Sequence, residues 1–282
     1  MKQYILRSSL GGAALYLRDK LEIVKVALHS PEDAGMMAND QMAFRLITRI
    51  CERNKTFIDV GAHIGSVLSE VKRRDPTIKL IAIEAIPQKV ERLRRNFPGL
   101  ELHECAAGDA SGEISFFIDL KQSGYSSLGK AAHINADRLQ AITVPIKRLD
   151  EIILINDADA IKIDVEGAEL GVLRGAINLL KKCRPVIMFE SAPKVEDGLG
   201  YSKEAMYEFL TSNGFSILAP NRVAHDDPGL SMQGFLESHW YPRRTTNYFA
   251  VPTERRIEIR DKAQQIVYRG LKLSVVKVSS SC

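Results

Sequence analysis

Residues 56–65 read Thr-Phe-Ile-Asp-Val-Gly-Ala-His-Ile-Gly. Thr56 to Val60 is a short apolar run ending in glycine, and Ile64, Val67, Leu68 and Val71 then recur at helical spacing. A buried strand thus turns into a helix through a glycine bend. Reading on, Lys79 to Glu84 (KLIAIE) is a second strand, and Pro87 suits the first turn of a helix facing Val90, Leu93 and Phe97 inward. Leu100 to Ala107 is a third strand and Ala160 to Asp164 (AIKID) a fourth, followed by a helix striped by Leu170, Leu173, Ile177 and Leu180. Pro185 to Glu190 (PVIMFE) is a fifth, and a helix near Ala205 to Leu210 ends before Gly214. Phe215 to Leu218 and Asn247 to Val251 (NYFAV) are two late strands. This alternation predicts an α/β fold with a doubly wound, mostly parallel seven-stranded sheet and an antiparallel edge. Ala110 to Leu149 interrupts it with a hairpin strand, Glu113 to Asp119, and a Gly/Ser/Lys loop in which Tyr125, Ser126 and Ser127 are placed to close over a substrate.

Outward from this core, residues 1–54 read as a helical N-terminal extension. Leu17, Leu21, Val24 and Leu28 form one stripe, Pro31 interrupts it, and a second helix is expected after Asn39–Asp40 with Ala43, Leu46, Ile47 and Ile50 facing inward. Residues 55–252 are expected to form the domain that holds the strand–helix alternation, and 253–282 a basic tail. The net charge of the 282-residue chain is +4, and the tail carries all of it, with seven basic and three acidic residues. A balanced body lacks the stripe that tracks a phosphate backbone, so no nucleic-acid partner is expected. In the tail, Ile259, Ala263 and Ile266 repeat at helical spacing among Arg255, Arg256, Arg260 and Lys262. Packing on the body or fraying is the expectation, with weak contact to an anionic membrane surface as the other use. The cysteines at 51, 105, 183 and 282 make no CxxC pattern. Leu10 to Leu17 is a poor signal peptide, because two of its eight residues are glycine and charges follow it. A reducing, cytoplasmic location is expected.

The reactive candidates stand where the strands end. Asp59, Gly61, His63 and Gly65 surround the first bend, whose glycines let the backbone turn tightly and approach a ligand. The spacing is not GxGxxG, since His63 stands between the glycines, and no Gly-Lys-Ser/Thr follows. Both facts count against a dinucleotide or nucleotide triphosphate. Glu84, 19 positions after Gly65, ends the second strand, where an acid can accept both hydroxyls of a ribose. Asp109 follows the third strand, placed to meet an adenine edge or to start a turn. Asp164 and Glu166 follow the fourth, and Glu169 opens the next helix, where it also suits a helix cap. Two close carboxylates suit a general base or a divalent cation. No third ligand is evident nearby in sequence, so no metal site is assigned. Of the histidines, His29, His103 and His133 have no convincing partner. His225 and His239 lie in the last long loop near Asp226, Asp227, Trp240 and Tyr241, and His225 is the alternative base.

Taken together, DVGAHIG, IAIEAIP, CAAGDASGEISFF and IKIDVEGAELGVLRGA resemble the FkbM family of S-adenosylmethionine-dependent methyltransferases in order and spacing, over roughly residues 55–251. The departure is His63, where the family commonly has Asn. The resemblance implies a class I methyltransferase fold that methylates a hydroxyl of a sugar, glycan or polyketide-type small molecule. It implies S-adenosylmethionine as cofactor, with Gly61 and Gly65 near its methionine part, Glu84 on the ribose and Asp109 beside the adenine. Methylation of a nucleic acid or a protein, and non-catalytic cofactor binding, are the other readings. DVEG stands where base amino-methylating enzymes often carry Asn/Asp-Pro-Pro-Tyr/Phe.

Overall fold

Every residue of β1 (Thr56–Val60) is buried, as in a strand covered on both faces. The computed structural model describes residues 21, 23–119, 126–127, 139–192 and 201–275. Parallel to β1 run β2 (Lys79–Glu84) and β3 (Glu101–Glu104) on one side. On the other side run β8 (Ala158–Ile163) and β9 (Val186–Glu190). The sheet closes with β11 (Asn247–Pro252), antiparallel to β9, and β10 (Phe215–Leu218) outside it. The order is β10-β11-β9-β8-β1-β2-β3, the topology of a class I methyltransferase, with its switch between β1 and β8. The antiparallel strand is therefore the second from the edge.

Alternation along the strands builds two cores. Ile58, Val60, Ile81, Ile83, Ile161 and Phe189 face one side. Helices α5 (Glu169–Gly175), α6 (Ile177–Cys183) and α7 (Lys203–Ser212) cover that side through Leu170, Leu173, Leu180 and Leu210. Phe57, Ala82, Ala160, Met188 and Phe249 face the other. There α1 (Ala34–Ile50) contributes Ala43, Leu46, Ile47 and Ile50, and α2 (Ser66–Arg74) contributes Val67, Leu68 and Val71. The C-terminal α9 (Arg256–Val275) buries Ile259 and Ala263 completely in the same core. Its apolar stripe is thus covered by the body, and Arg255 locks its start through Asp159 at 2.8 Å. No helix among the described residues is long and apolar enough to cross a membrane.

Four local expectations are corrected. Helix α1 begins at Ala34, not after Asp40, because the Asp40 carboxylate serves no cap and instead accepts hydrogen bonds from Thr245 and Asn247 at 3.0 and 3.2 Å. The third strand splits after Glu104, and β4 (Ala106–Ala107) joins a second sheet. In that sheet β5 (Gly112–Asp119) pairs antiparallel with β7 (Leu139–Lys147), a strand hidden in sequence by Pro145. The stripe from Leu170 to Leu180 is two helices joined at Ala176, where a side chain at Gly175 would meet the Gly108 carbonyl at 1.9 Å.

Candidate active site

The ends of β1, β2, β4 and β8 open into one cavity of about 460 Å³. Three strand ends are zipped together at its floor. Gly61 and Ala62 donate to the Ile83 carbonyl at 3.0 and 3.1 Å, and Asp164 donates to the Val60 carbonyl at 3.1 Å. Gly61 has a φ of +75°, and a Cβ there would stand 1.9 Å from the Asp164 carbonyl oxygen. The glycine thus lets β8 close on the β1 bend. His63, with a φ of +52°, donates its backbone N–H to Glu84 Oε2 at 2.7 Å, and Ile86 donates to Oε1 at 3.0 Å. Both carboxylate oxygens of Glu84 are held in place by these backbone donors. Burial pushes the Glu84 carboxyl up, and the Ile86 and His63 hydrogen bonds and the charge of Lys89 oppose this.

Lys162 is the buried cation of the cleft. Its Nζ lies 3.3 Å from Asp59 Oδ1, 3.2 Å from Asp164 Oδ2 and 3.2 Å from the Gly61 carbonyl. Burial opposes its charge, but the two carboxylates outweigh burial and hold the ammonium above its usual range. Asp59, wholly buried, is pushed up to about 6 by burial, against the pull of Lys162. Asp164 keeps 39% of its side chain exposed along the cleft wall, so a ligand can reach it. Crowding on its other sides works against its charge, but Lys162 and a hydrogen bond from Glu190 prevail and hold it below the usual carboxylate range. Glu166 sits at a φ of +54°, with burial and then Asp164 pushing it up to about 7.

Six of the residues singled out in sequence line this cavity: Asp59, Gly61, His63, Glu84, Asp164 and Glu166. Three do not. Gly65 starts α2 at a φ of +80° and packs on α3 (Pro87–Asn96) and its end, where a Cβ would meet Phe97 and Leu93 at 2.5 and 2.9 Å. Asp109 is turned to Tyr201, whose hydroxyl donates to its carboxylate at 2.9 Å, so it fastens a loop instead of flanking the cavity. His225 is exposed, and its carbonyl accepts from Arg256 at 2.8 Å, fixing it beside α9 and away from the acids. Glu169 is buried and caps the turn, accepting from Val165 and Gly167 at 3.0 and 3.2 Å. His239 is a core residue bonded to Ser191 and to the Phe235 carbonyl, both at 2.8 Å. Tyr125 and His133, and the side chains of Ser126 and Ser127, lie outside the described residues.

Several functional candidates had no signal strong enough to be read. Lys162 stands inside AIKID as one polar letter of a buried strand. Glu190 ends PVIMFE just as Glu84 ends KLIAIE, which is the pattern that could have marked it. Asp40 and Phe44 of α1 and Asn247 of β11 also line the cavity, brought there only by the fold. Asp164, Glu166 and Glu190 each place a carboxylate oxygen within 4.8 Å of the others. Among the described residues this is the group crowded enough to share a cation or a proton.

Comparison with known proteins adds the following. The family model described as "Methyltransferase FkbM domain" matches residues 59–217. "Methyltransferase 1" of Beauveria bassiana (strain ARSEF 2860) is 28% identical over 143 residues, covering 42% of this chain and 57% of its own length. "Methyltransferase sdnD" of Sordaria araneosa is 26% identical over 156 residues, covering 43% of this chain and 60% of its own. The chain thus spans less than two thirds of these relatives. Among solved structures, the methyltransferase FkbM from Methylobacillus flagellatus KT superimposes with a TM-score of 0.43 at 15% identity, over 80% of this chain and 60% of that one.

Proposed function

Since the chain belongs to the methyltransferase FkbM family, we infer that its cleft holds S-adenosylmethionine and that it methylates a hydroxyl of a sugar, glycan or polyketide-type small molecule. The observation that carries this reading is Glu84. Its carboxylate ends β2 inside the cavity, pinned by the backbone of His63 and Ile86, where two ribose hydroxyls would find paired acceptors. The donor set also suits the charge of the cofactor. Asp40, Asp59, Glu84, Asp164 and Glu166 line the cavity against Lys89 and Lys162, and an acidic cleft draws a cation. Beyond Glu84 the wall is Cys105, Ala106 and Ala107, small side chains that leave room for a flat ring.

When bound, S-adenosylmethionine supplies an electrophilic methyl group on a sulfonium. The chain's own part is to orient the two reactants and to manage one proton. Asp164 is the base: it stays ionised through Lys162 and is open to the cleft. An acceptor hydroxyl is a poor acid, so its proton moves to Asp164 only as the oxygen attacks. Glu166, half-buried beside it, shapes the acceptor side.

The test is methyl transfer from tritiated S-adenosylmethionine to a panel of sugars, nucleotide sugars, lipid-linked glycans and polyketides, with calorimetry against S-adenosylmethionine and NAD. Label in a hydroxyl of one acceptor class is the expected result. Binding of NAD without S-adenosylmethionine would refute the cofactor, and label only in nucleic acid or protein would refute the acceptor.

A further inference from the structure

Glu190 ends β9 directly opposite Asn247 in register and reaches the same acidic corner as Asp164 and Glu166. Three ionised carboxylates at that separation repel one another strongly in a partly buried site. The surrounding charges decide which of them gives up its charge. Lys162 lies 3.2 Å from Asp164, and His63 also favours a charge there. Burial, and after it the acids Asp164, Glu166 and Glu169, work against a charge on Glu190. Glu166 has Lys89 and Lys162 as counter-charges. The proton therefore belongs on Glu190, whose carboxyl lies in the same cluster as that of Asp164 and can offer it there in a hydrogen bond.

We propose that Glu190 is a positioning residue of the reaction: its carboxyl keeps a proton at neutral pH, donates a hydrogen bond through it to Asp164, and so holds Asp164 ionised and aimed at the acceptor hydroxyl. This rests on the hydroxyl-methylation reading. In the transfer the acceptor's O–H bond breaks and its proton bonds to Asp164, an oxygen electron pair forms the new bond to the methyl group, and the sulfur–methyl bond that breaks would leave its pair on the donor's sulfur. The Asp164–Glu190 pair passes from one proton to two, and its single negative charge is neutralised as the positive charge of the donor disappears. Burial supports the assignment, since it and Asp164 push the Glu190 carboxyl up to about 10.

The decisive measurement needs no acceptor. Infrared difference spectra of the ligand-free protein at neutral pH, wild type minus Glu190→Gln, should show the carbonyl stretch of a protonated carboxylic acid. That stretch should shift when glutamate is carbon-13 labelled. A difference containing only ionised carboxylate overturns the proposal. On an acceptor found by the methyl-transfer panel, Glu190→Gln keeps a neutral donor and should stay within severalfold of wild type. Glu190→Ala should lose on the order of 10–100-fold in turnover. Its acid limb should also move to higher pH, because Asp164 loses a hydrogen bond that favours its charge. A Gln variant as inactive as the Ala variant would overturn the proposal. So would activity abolished by a chelator and restored by magnesium, because the trio would then share a cation. If the panel finds no acceptor, the acceptor reading fails, while the infrared result still decides the proton on Glu190.

Discussion

Glu84 and Asp164 both line the cavity and should fail in different ways when changed. Glu84→Ala removes acceptors for ribose hydroxyls and should weaken S-adenosylmethionine by about 1.5–3 kcal/mol per charged bond lost. Glu84→Gln should be milder. Calorimetry measures both, and a thermal melt separates lost binding from a loosened His63–Ile86 loop, since Glu84 also holds that backbone. Asp164→Asn should leave cofactor affinity nearly intact and lower turnover by ~10²–10⁴-fold. Full turnover in that variant would return Asp164 to a structural role beside Lys162. At this scale the sequence was informative wherever a residue sits at a strand end. The places of Asp59, Glu84, Asp164 and Glu166 on the cavity wall follow from the period of βα units. Asp109 and Gly65 obeyed the same rule and still left the cavity, because Tyr201 and Phe97, distant in sequence, engage them.

Elements meet here by way of glycine. The β1 bend and the β8 end approach so closely that Gly61→Ala would force a methyl group into the Asp164 carbonyl, at a φ that side chains rarely adopt. Strand separation at the floor should cost more than about 1 kcal/mol of stability, and it should displace Asp164 along with its backbone. The expected outcome is a lower melting temperature together with lost turnover. An alanine variant that melts and turns over as wild type would show that the two strand ends are not coupled. Helix α1 works by contact instead. It was legible as a helix from Ala43, Leu46, Ile47 and Ile50, but its start was not. Asn39 and Asp40 look like capping residues in sequence, and only the fold shows them bonded to Arg244 and to Thr245–Asn247. Their partners lie some 200 positions away, beyond the reach of any local pattern.

Across the whole molecule, buried acids give stability a pH dependence of known sign. Glu190 is pushed up to about 10, Glu166 and Glu169 to about 7, and Asp59 to about 6, each chiefly by burial. Such a group supports folding fully below its unfolded pKa, and that support is lost as pH rises through the folded value. Carboxylates held low, such as Glu254 at about 2 beneath Arg184, lose their contribution only in acid, outside this range. Ligand-free protein should therefore melt at lower temperature at about pH 9 than at about pH 6, and Glu190→Gln should flatten the difference. A melting temperature that rises over that interval would show that these acids are ionised in the folded protein. The sequence by itself determined the alternation of strands and helices, hence the doubly wound sheet and the edge at which ligands gather, because strand and helix periods are local properties of the chain. It also determined which acids end β2 and β8. Only the tertiary structure decided which polar residues share a site. Lys162 became the counter-charge of Asp59 when β8 paired with β1, where the two stand opposite each other in register. Glu190 became the partner of Asp164 when β9 paired with β8, 26 positions on. Burial and charge pairing depend on which strands become neighbours, and a single strand's sequence carries no record of its neighbours.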